Sequence, residues 1–95
     1  MAATVWSVGS RLSKSLGECV RRLRLETGVS QVVFAERCGF YQTYLSRIEN
    51  GHANPTLNAV EVIANALGLS VFDLFELVKA EAQPAAAKKR RRAAV

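Results

Sequence analysis

The stretch that most constrains this chain is Ser30 to Gly51, SQVVFAERCGFYQTYLSRIENG. It holds two short helical patterns, interrupted by Gly39 and closed by Gly51. The first pattern buries Val33, Phe34 and Cys38. The second buries Leu45 and Ile48 at i, i+3 spacing. Gly39 supplies a turn where a side chain would crowd or where φ is positive. Two helices this short, joined this tightly, cannot bury their own apolar faces, so the remaining chain must fold around them.

The flanking sequence supplies that material. Leu16, Cys19, Val20 and Leu23 mark one face of a helix over 13–27, with Ser13 or Ser15 as its cap and Gly28 as its stop. Ser30 caps helix two, Gln31 to Cys38. Helix three runs from Gln42 to Asn50, and His52-Ala53-Asn54-Pro55 is a loop. Thr56 caps helix four, where Leu57, Val60, Ile63, Ala64 and Leu67 recur at helical spacing up to Gly68. Ser70 with Asp73 three residues on is a capping-box-like start for helix five. Phe72, Leu74, Phe75, Leu77 and Val78 on that helix exceed what one buried face carries. The surplus predicts a surface for a partner.

The expected fold is therefore all-α, five helices in one domain over 13–81. Residues 1–12, with Val5, Trp6 and Val8, form an N-terminal arm or a short helix. Residues 82–95, AQPAAAKKRRRAAV, read as a flexible basic tail. The apolar runs fall well short of the roughly 20 residues that span a bilayer. The N-terminus lacks the cationic start and apolar block of a secretory signal. A cytosolic setting follows, without membrane association.

The net charge of +5 is unevenly placed. Lys88, Lys89, Arg90, Arg91 and Arg92 account for it, leaving a neutral body. That body is polarised: residues 1–47 hold seven basic and three acidic side chains, and residues 48–87 hold one basic and five acidic. One basic end suits a polyanion. Catalysis finds no support. There is no Ser/His/Asp set, no paired carboxylates, no phosphate-binding glycine loop, and only one histidine, His52. Cys19 and Cys38 lack the partners of a zinc site and read as reduced, packed thiols. No cofactor, metal or small-molecule ligand is expected.

Several spaced elements now agree in order: Leu23-Arg24, Gly28-Val29-Ser30-Gln31, Ala35, Gly39, Tyr44-Leu45-Ser46-Arg47-Ile48-Glu49-Asn50-Gly51, Asn54-Pro55-Thr56-Leu57, Ile63-Ala64-Asn65-Ala66-Leu67-Gly68 and Phe72-Asp73-Leu74-Phe75. In these the chain resembles the lambda-repressor-like helix-turn-helix family, also called the Cro/cI or xenobiotic-response-element family, over about Leu16 to Phe75. The resemblance implies that helix three enters a DNA major groove. It implies a structural pair of Arg24 with Glu49, and a bracing, phosphate-touching role for Gln31. Base contacts fall to Gln42, Thr43, Ser46 and Arg47, and backbone contacts to Asn50, Gly51 and His52.

The residues support that assignment on their own chemistry. With Leu45 and Ile48 inward, a rotation of about 100° per residue turns positions 42, 43, 46, 47 and 50 outward. Gln42 has the amide geometry for adenine and Arg47 the fork for guanine. Tyr41 and Tyr44 offer a ring and a hydroxyl to the sugar–phosphate backbone. Two departures from the family pattern stand out. Val32-Val33 replaces the usual acidic residue near the start of helix two, and Phe40-Tyr41 replaces a small polar cap before helix three.

The expected function is sequence-specific binding of double-stranded DNA by a homodimer. The chain is expected to be bacterial or phage-encoded and autoregulatory, of controller-protein or phage-repressor type. Leu69, Phe72, Phe75, Leu77 and Val78 are the candidate dimer surface. The Lys88–Arg92 run adds sequence-independent DNA affinity. Two other classes stay open: an antitoxin-like protein whose main task is binding a partner protein, and a tail-driven non-specific DNA binder.

Overall fold

In the computed structural model, residues 10–82 are described. They form five helices: α1 Arg11–Thr27, α2 Gln31–Cys38, α3 Gln42–Glu49, α4 Leu57–Ala66 and α5 Val71–Ala82. Four of the five starts are capped by a hydroxyl that accepts a backbone N–H three residues on. The caps are Ser10 for α1, Ser30 for α2, Thr56 for α4 and Ser70 for α5. Each cap satisfies one of the N–H groups that a helix leaves unpaired at its start. Gly28 and Gly39 end α1 and α2 at φ of 82° and 74°, where a β-carbon would be strained.

The long helix α1 lies against both α3 and α5, α2 packs on α3 and α4, and α4 packs on α5. Side chains from all five helices meet in one core. Cys19 and Val20 come from α1, Phe34 and Ala35 from α2, Leu45 and Ile48 from α3, Ile63 and Ala64 from α4, and Leu74 from α5. Fully burying a residue the size of Phe34 or Leu45 contributes about 1.5–3 kcal/mol, so this core carries the fold. At the surface, Arg22 on α1 donates to Glu81 on α5 and to Glu26, each at 2.6 Å. Exposed pairs of this kind contribute about 0–1 kcal/mol.

Five expectations are corrected in detail. Helix α1 begins at Arg11, with Ser10 rather than Ser13 or Ser15 as cap, so Arg11 and Leu12 belong to the helix and not to an arm. Helix α3 ends at Glu49, with Asn50 as its C-cap. Val33 is exposed, because Phe34, Ala35 and Cys38 already fill the inward arc of α2. Leu57 is 80% exposed, because the first residue of α4 precedes the turn that reaches the core. Val78 is 3% exposed and stacks one turn after the fully buried Leu74. It is a core residue and is withdrawn from the candidate dimer surface. Residues 1–9 and 83–95, including Trp6 and the Lys88–Arg92 run, lie outside the described residues.

Candidate nucleic-acid interface

Helix α3 is held on its inner side by Leu45 and Ile48, both essentially inaccessible to solvent. Its C-terminal end is pressed against α1. A β-carbon on Gly17 would lie 2.2 Å from the Ile48 carbonyl oxygen and 2.7 Å from that of Glu49. Only glycine permits that approach. The outer side of α3 is left free. Gln42, Thr43 and Arg47 are exposed and Ser46 is half-buried.

A chain of polar contacts runs from the interior to the start of α3. Arg24 donates through Nε to Glu49 Oε2 at 2.7 Å and through Nη2 to Glu49 Oε1 at 3.0 Å. Its Nη1 donates to the Val29 carbonyl at 2.8 Å. The two side chains retain 7% and 1% of their exposure. Glu49 Oε1 also accepts from Gln31 Nε2 at 2.9 Å, and Gln31 Oε1 accepts from Gln42 Nε2 at 2.6 Å. The pair anticipated between Arg24 and Glu49 is thus present. Gln31 braces α3 from the first position of α2. Gln42 keeps its carbonyl and one N–H, the two groups that pair with adenine. Gln31 keeps one amide N–H, at a helix N-terminus that favours an anion.

The other anticipated residues line the two ends of α3. Tyr41 is the N-cap without a side-chain bond and is 86% exposed, so it does not pack on the core. Tyr44 is half-buried, its ring edge-on to Phe40 with centroids 5.1 Å apart. The backbone N–H of His52 donates to the Arg47 carbonyl at 2.8 Å, and the His52 carbonyl accepts from Arg47 Nη2 at 3.1 Å. Asn50 Nδ2 reaches Ser46 Oγ at 3.4 Å. Tyr41, Thr43, Tyr44, Arg47, His52 and Asn54 thereby border one groove of about 340 Å³. Among the described residues, no group of three His, Cys, Asp or Glu side chains gathers as metal ligands.

Comparison with known proteins gives this arrangement a family. A family model described as a helix-turn-helix domain matches residues 15–75. The chain belongs to the lambda-repressor-like helix-turn-helix family. It is 41% identical over 63 residues to the uncharacterized HTH-type transcriptional regulator y4dJ of Sinorhizobium fredii, covering 66% of this chain and 82% of that one. It is 39% identical over 61 residues to control protein C.BamHI of Bacillus amyloliquefaciens, covering 63% and 75%. Among solved structures, the restriction-modification controller protein C.Esp1396I, as a tetramer with its natural 35 base-pair operator, matches with a TM-score of 0.69 and 30% identity. That match covers 75% of this chain and 93% of that one. The helix-turn-helix family comprises DNA-binding transcriptional regulators, not enzymes.

Within this helix-turn-helix unit, reading the sequence missed Gly17, which sets the distance between α1 and α3. Its signal was available, since an isolated glycine inside a helical pattern marks a packing or functional reason. The Val29 carbonyl, third acceptor for Arg24, had no sequence signal. The two thiols belong to the core and not to the interface. Burial pushes Cys19 up to about 11, with the Glu81 carboxylate adding to the shift, and burial also raises Cys38. No helix of the described residues is long and apolar enough to cross a membrane.

Proposed function

We propose that this protein binds a palindromic operator as a homodimer, reads it with α3, and regulates transcription, its own gene included. The observation that carries the reading is the polar chain Arg24–Glu49–Gln31–Gln42, which holds the first base-facing side chain of α3 in place before DNA arrives. Preorganisation of this kind lowers the cost of ordering at an interface. Gln42, Thr43, Ser46 and Arg47 face bases. Gln31, Tyr41, Tyr44, Asn50 and His52 face the backbone. The operator-bound C.Esp1396I and the control protein C.BamHI support an operator-binding reading for a chain so similar to them.

One recognition helix covers few base pairs, so useful specificity needs two half-sites about 34 Å apart and a two-fold dimer. Phe72 on α5 is 81% exposed, and Leu69, Phe75 and Leu77 are half-buried. These apolar side chains are the proposed dimer contact. The Lys88–Arg92 run adds affinity through counterion release, without sequence preference. A cytoplasmic location follows from this role.

A gel-shift titration at physiological salt tests the reading. It compares the DNA upstream of this protein's gene with a scrambled duplex of equal length. Tight, stepwise and selective binding is expected. Equal weak binding to both duplexes removes the autoregulatory reading and favours the tail-driven binder. No binding, with a second polypeptide co-purifying, favours the protein-partner class.

A further inference from the structure

Besides the groove bordered by Tyr41 and Asn54, a second groove touches α3, and of the contacts assigned above only Asn50 borders it. The second lies between α1 and the C-terminal end of α3 and holds about 590 Å³. It is bordered by Lys14, Glu18 and Arg21 on α1 and by Asn50 after α3. Lys14 abuts the chain as it leaves α3, since a β-carbon on Gly51 would come within 2.8 Å of its Cγ. Of the other charges along this groove, Arg22 is paired with Glu26 and Glu49 with Arg24, while Glu18 stands without an ion pair among the described residues. Lys14 and Arg21 are exposed, and neither makes an ion pair among the described residues.

The size of a duplex makes this groove matter. A B-DNA major groove is about 12 Å wide, and a helix with its side chains is about 10–12 Å across. A helix that fills the groove therefore has one phosphate backbone along each of its sides. If α3 reads bases, one strand follows the Tyr41–Asn54 groove and the other must pass the α1 side. Lys14 and Arg21, seven residues apart, share one face of α1 and stand about 10 Å apart along its axis. That separation exceeds the axial rise of about 3.4 Å per phosphate of one strand, so the two cations can reach separate phosphates.

We propose that Lys14 and Arg21 form a second backbone seat, contacting phosphates of the strand that passes over the groove bordered by α1 and the end of α3. The proposal rests on the reading of α3 as the base-reading helix. Glu18 stands between the two cations on the same face, so its carboxylate opposes the phosphates. The seat contributes affinity and orientation and carries no base information.

Salt titration of DNA binding tests this in the full chain. Each lost phosphate contact lowers the slope of log K against log salt by about 0.9, which at 0.15 M salt is about a fivefold loss of affinity. Lys14→Gln and Arg21→Gln should each show that change. The loss should be equal on the upstream and the scrambled duplex. Glu18→Gln should shift affinity the opposite way. Thermal melts of the three variants separate this from a purely structural role, such as a cation near the C-terminal end of α3, which would move the melt and leave the slope unchanged. Unchanged slopes in both cation variants, with the wild-type chain still binding, would overturn the seat and leave the proposed function standing. A wild-type chain that binds neither duplex would overturn the proposed function itself.

Discussion

Removing the carboxylate of Glu49 is the perturbation with the largest calculable consequence. Glu49 and Arg24 are both withdrawn from water, and the carboxylate accepts three hydrogen bonds, two from Arg24 and one from Gln31. In a Glu49→Leu variant the Arg24 guanidinium stays buried with only the Val29 carbonyl as partner. Breaking a buried pair this way costs about 3–5 kcal/mol, whereas replacing both partners with apolar residues is often close to neutral. A domain of this size has about 5–15 kcal/mol in total, and each kcal/mol moves the midpoint by about 4–8 °C. Glu49→Leu should therefore lower Tm by at least about 12 °C, measured by circular dichroism at fixed protein concentration. Arg24→Met should do the same, and the double variant should recover most of the loss. Gln31 in that double variant has lost its anchor, so Gln42 is no longer braced, and DNA binding should stay weak although the fold is restored. If Glu49→Leu costs under about 1 kcal/mol, or if the double variant costs as much as the two single ones together, the pair is not the buried, coupled unit described above.

Three further outcomes are expected. Gly17→Ala should destabilise by about 1–3 kcal/mol in a urea melt, because its β-carbon meets the Ile48 carbonyl; helix propensity alone predicts a gain of about 1 kcal/mol, so the sign decides. Arg47→Ala should weaken specific binding by about 1–3 kcal/mol and relax the preference at one base pair in a panel of operator variants, whereas a uniform loss across the panel would reassign Arg47 to the backbone. The raised Cys19 pKa means that the folded state holds the thiol proton more tightly than the unfolded chain. The stabilisation is fully present below the ordinary value of 9.0 and is lost as pH rises through about 11, at about 1.4 kcal/mol per pH unit, and Cys19→Ala should flatten that alkaline loss.

Much of this protein follows from local rules. Four hydroxyl caps and the stop glycines Gly28, Gly39 and Gly68 are chain-local devices, so the number, order and approximate limits of the helices can be read residue by residue. The inward stripe of α3, Leu45 and Ile48, follows from helical period, and with it the outward set Gln42, Thr43, Ser46 and Arg47. Even the Arg24–Glu49 pair was legible, though through likeness to the family and not through spacing. Errors arose where burial is shared among helices. Val33, Leu57 and Val78 are all apolar at plausible helical positions. Which of them faces the interior depends on where neighbouring helices sit, and periodicity alone carries no such information.

The sequence by itself therefore determined five helices, the caps Ser30, Thr56 and Ser70, and the residues that one short helix can offer to DNA, but placed the cap of α1 at Ser13 or Ser15 and not at Ser10. Tertiary structure alone decided how that helix is held. Gly17 lets α1 come within contact of the end of α3, and the Glu49 carboxylate that pairs with Arg24 also accepts from Gln31, 18 residues away in the chain, which in turn accepts from Gln42. It also decided that Lys14 and Arg21 stand beside α3 and not elsewhere on the surface. The physical reason is range. Capping and periodicity act over about four residues, whereas buried charge pairing and steric contact act over a few ångströms between segments that only the folded chain brings together.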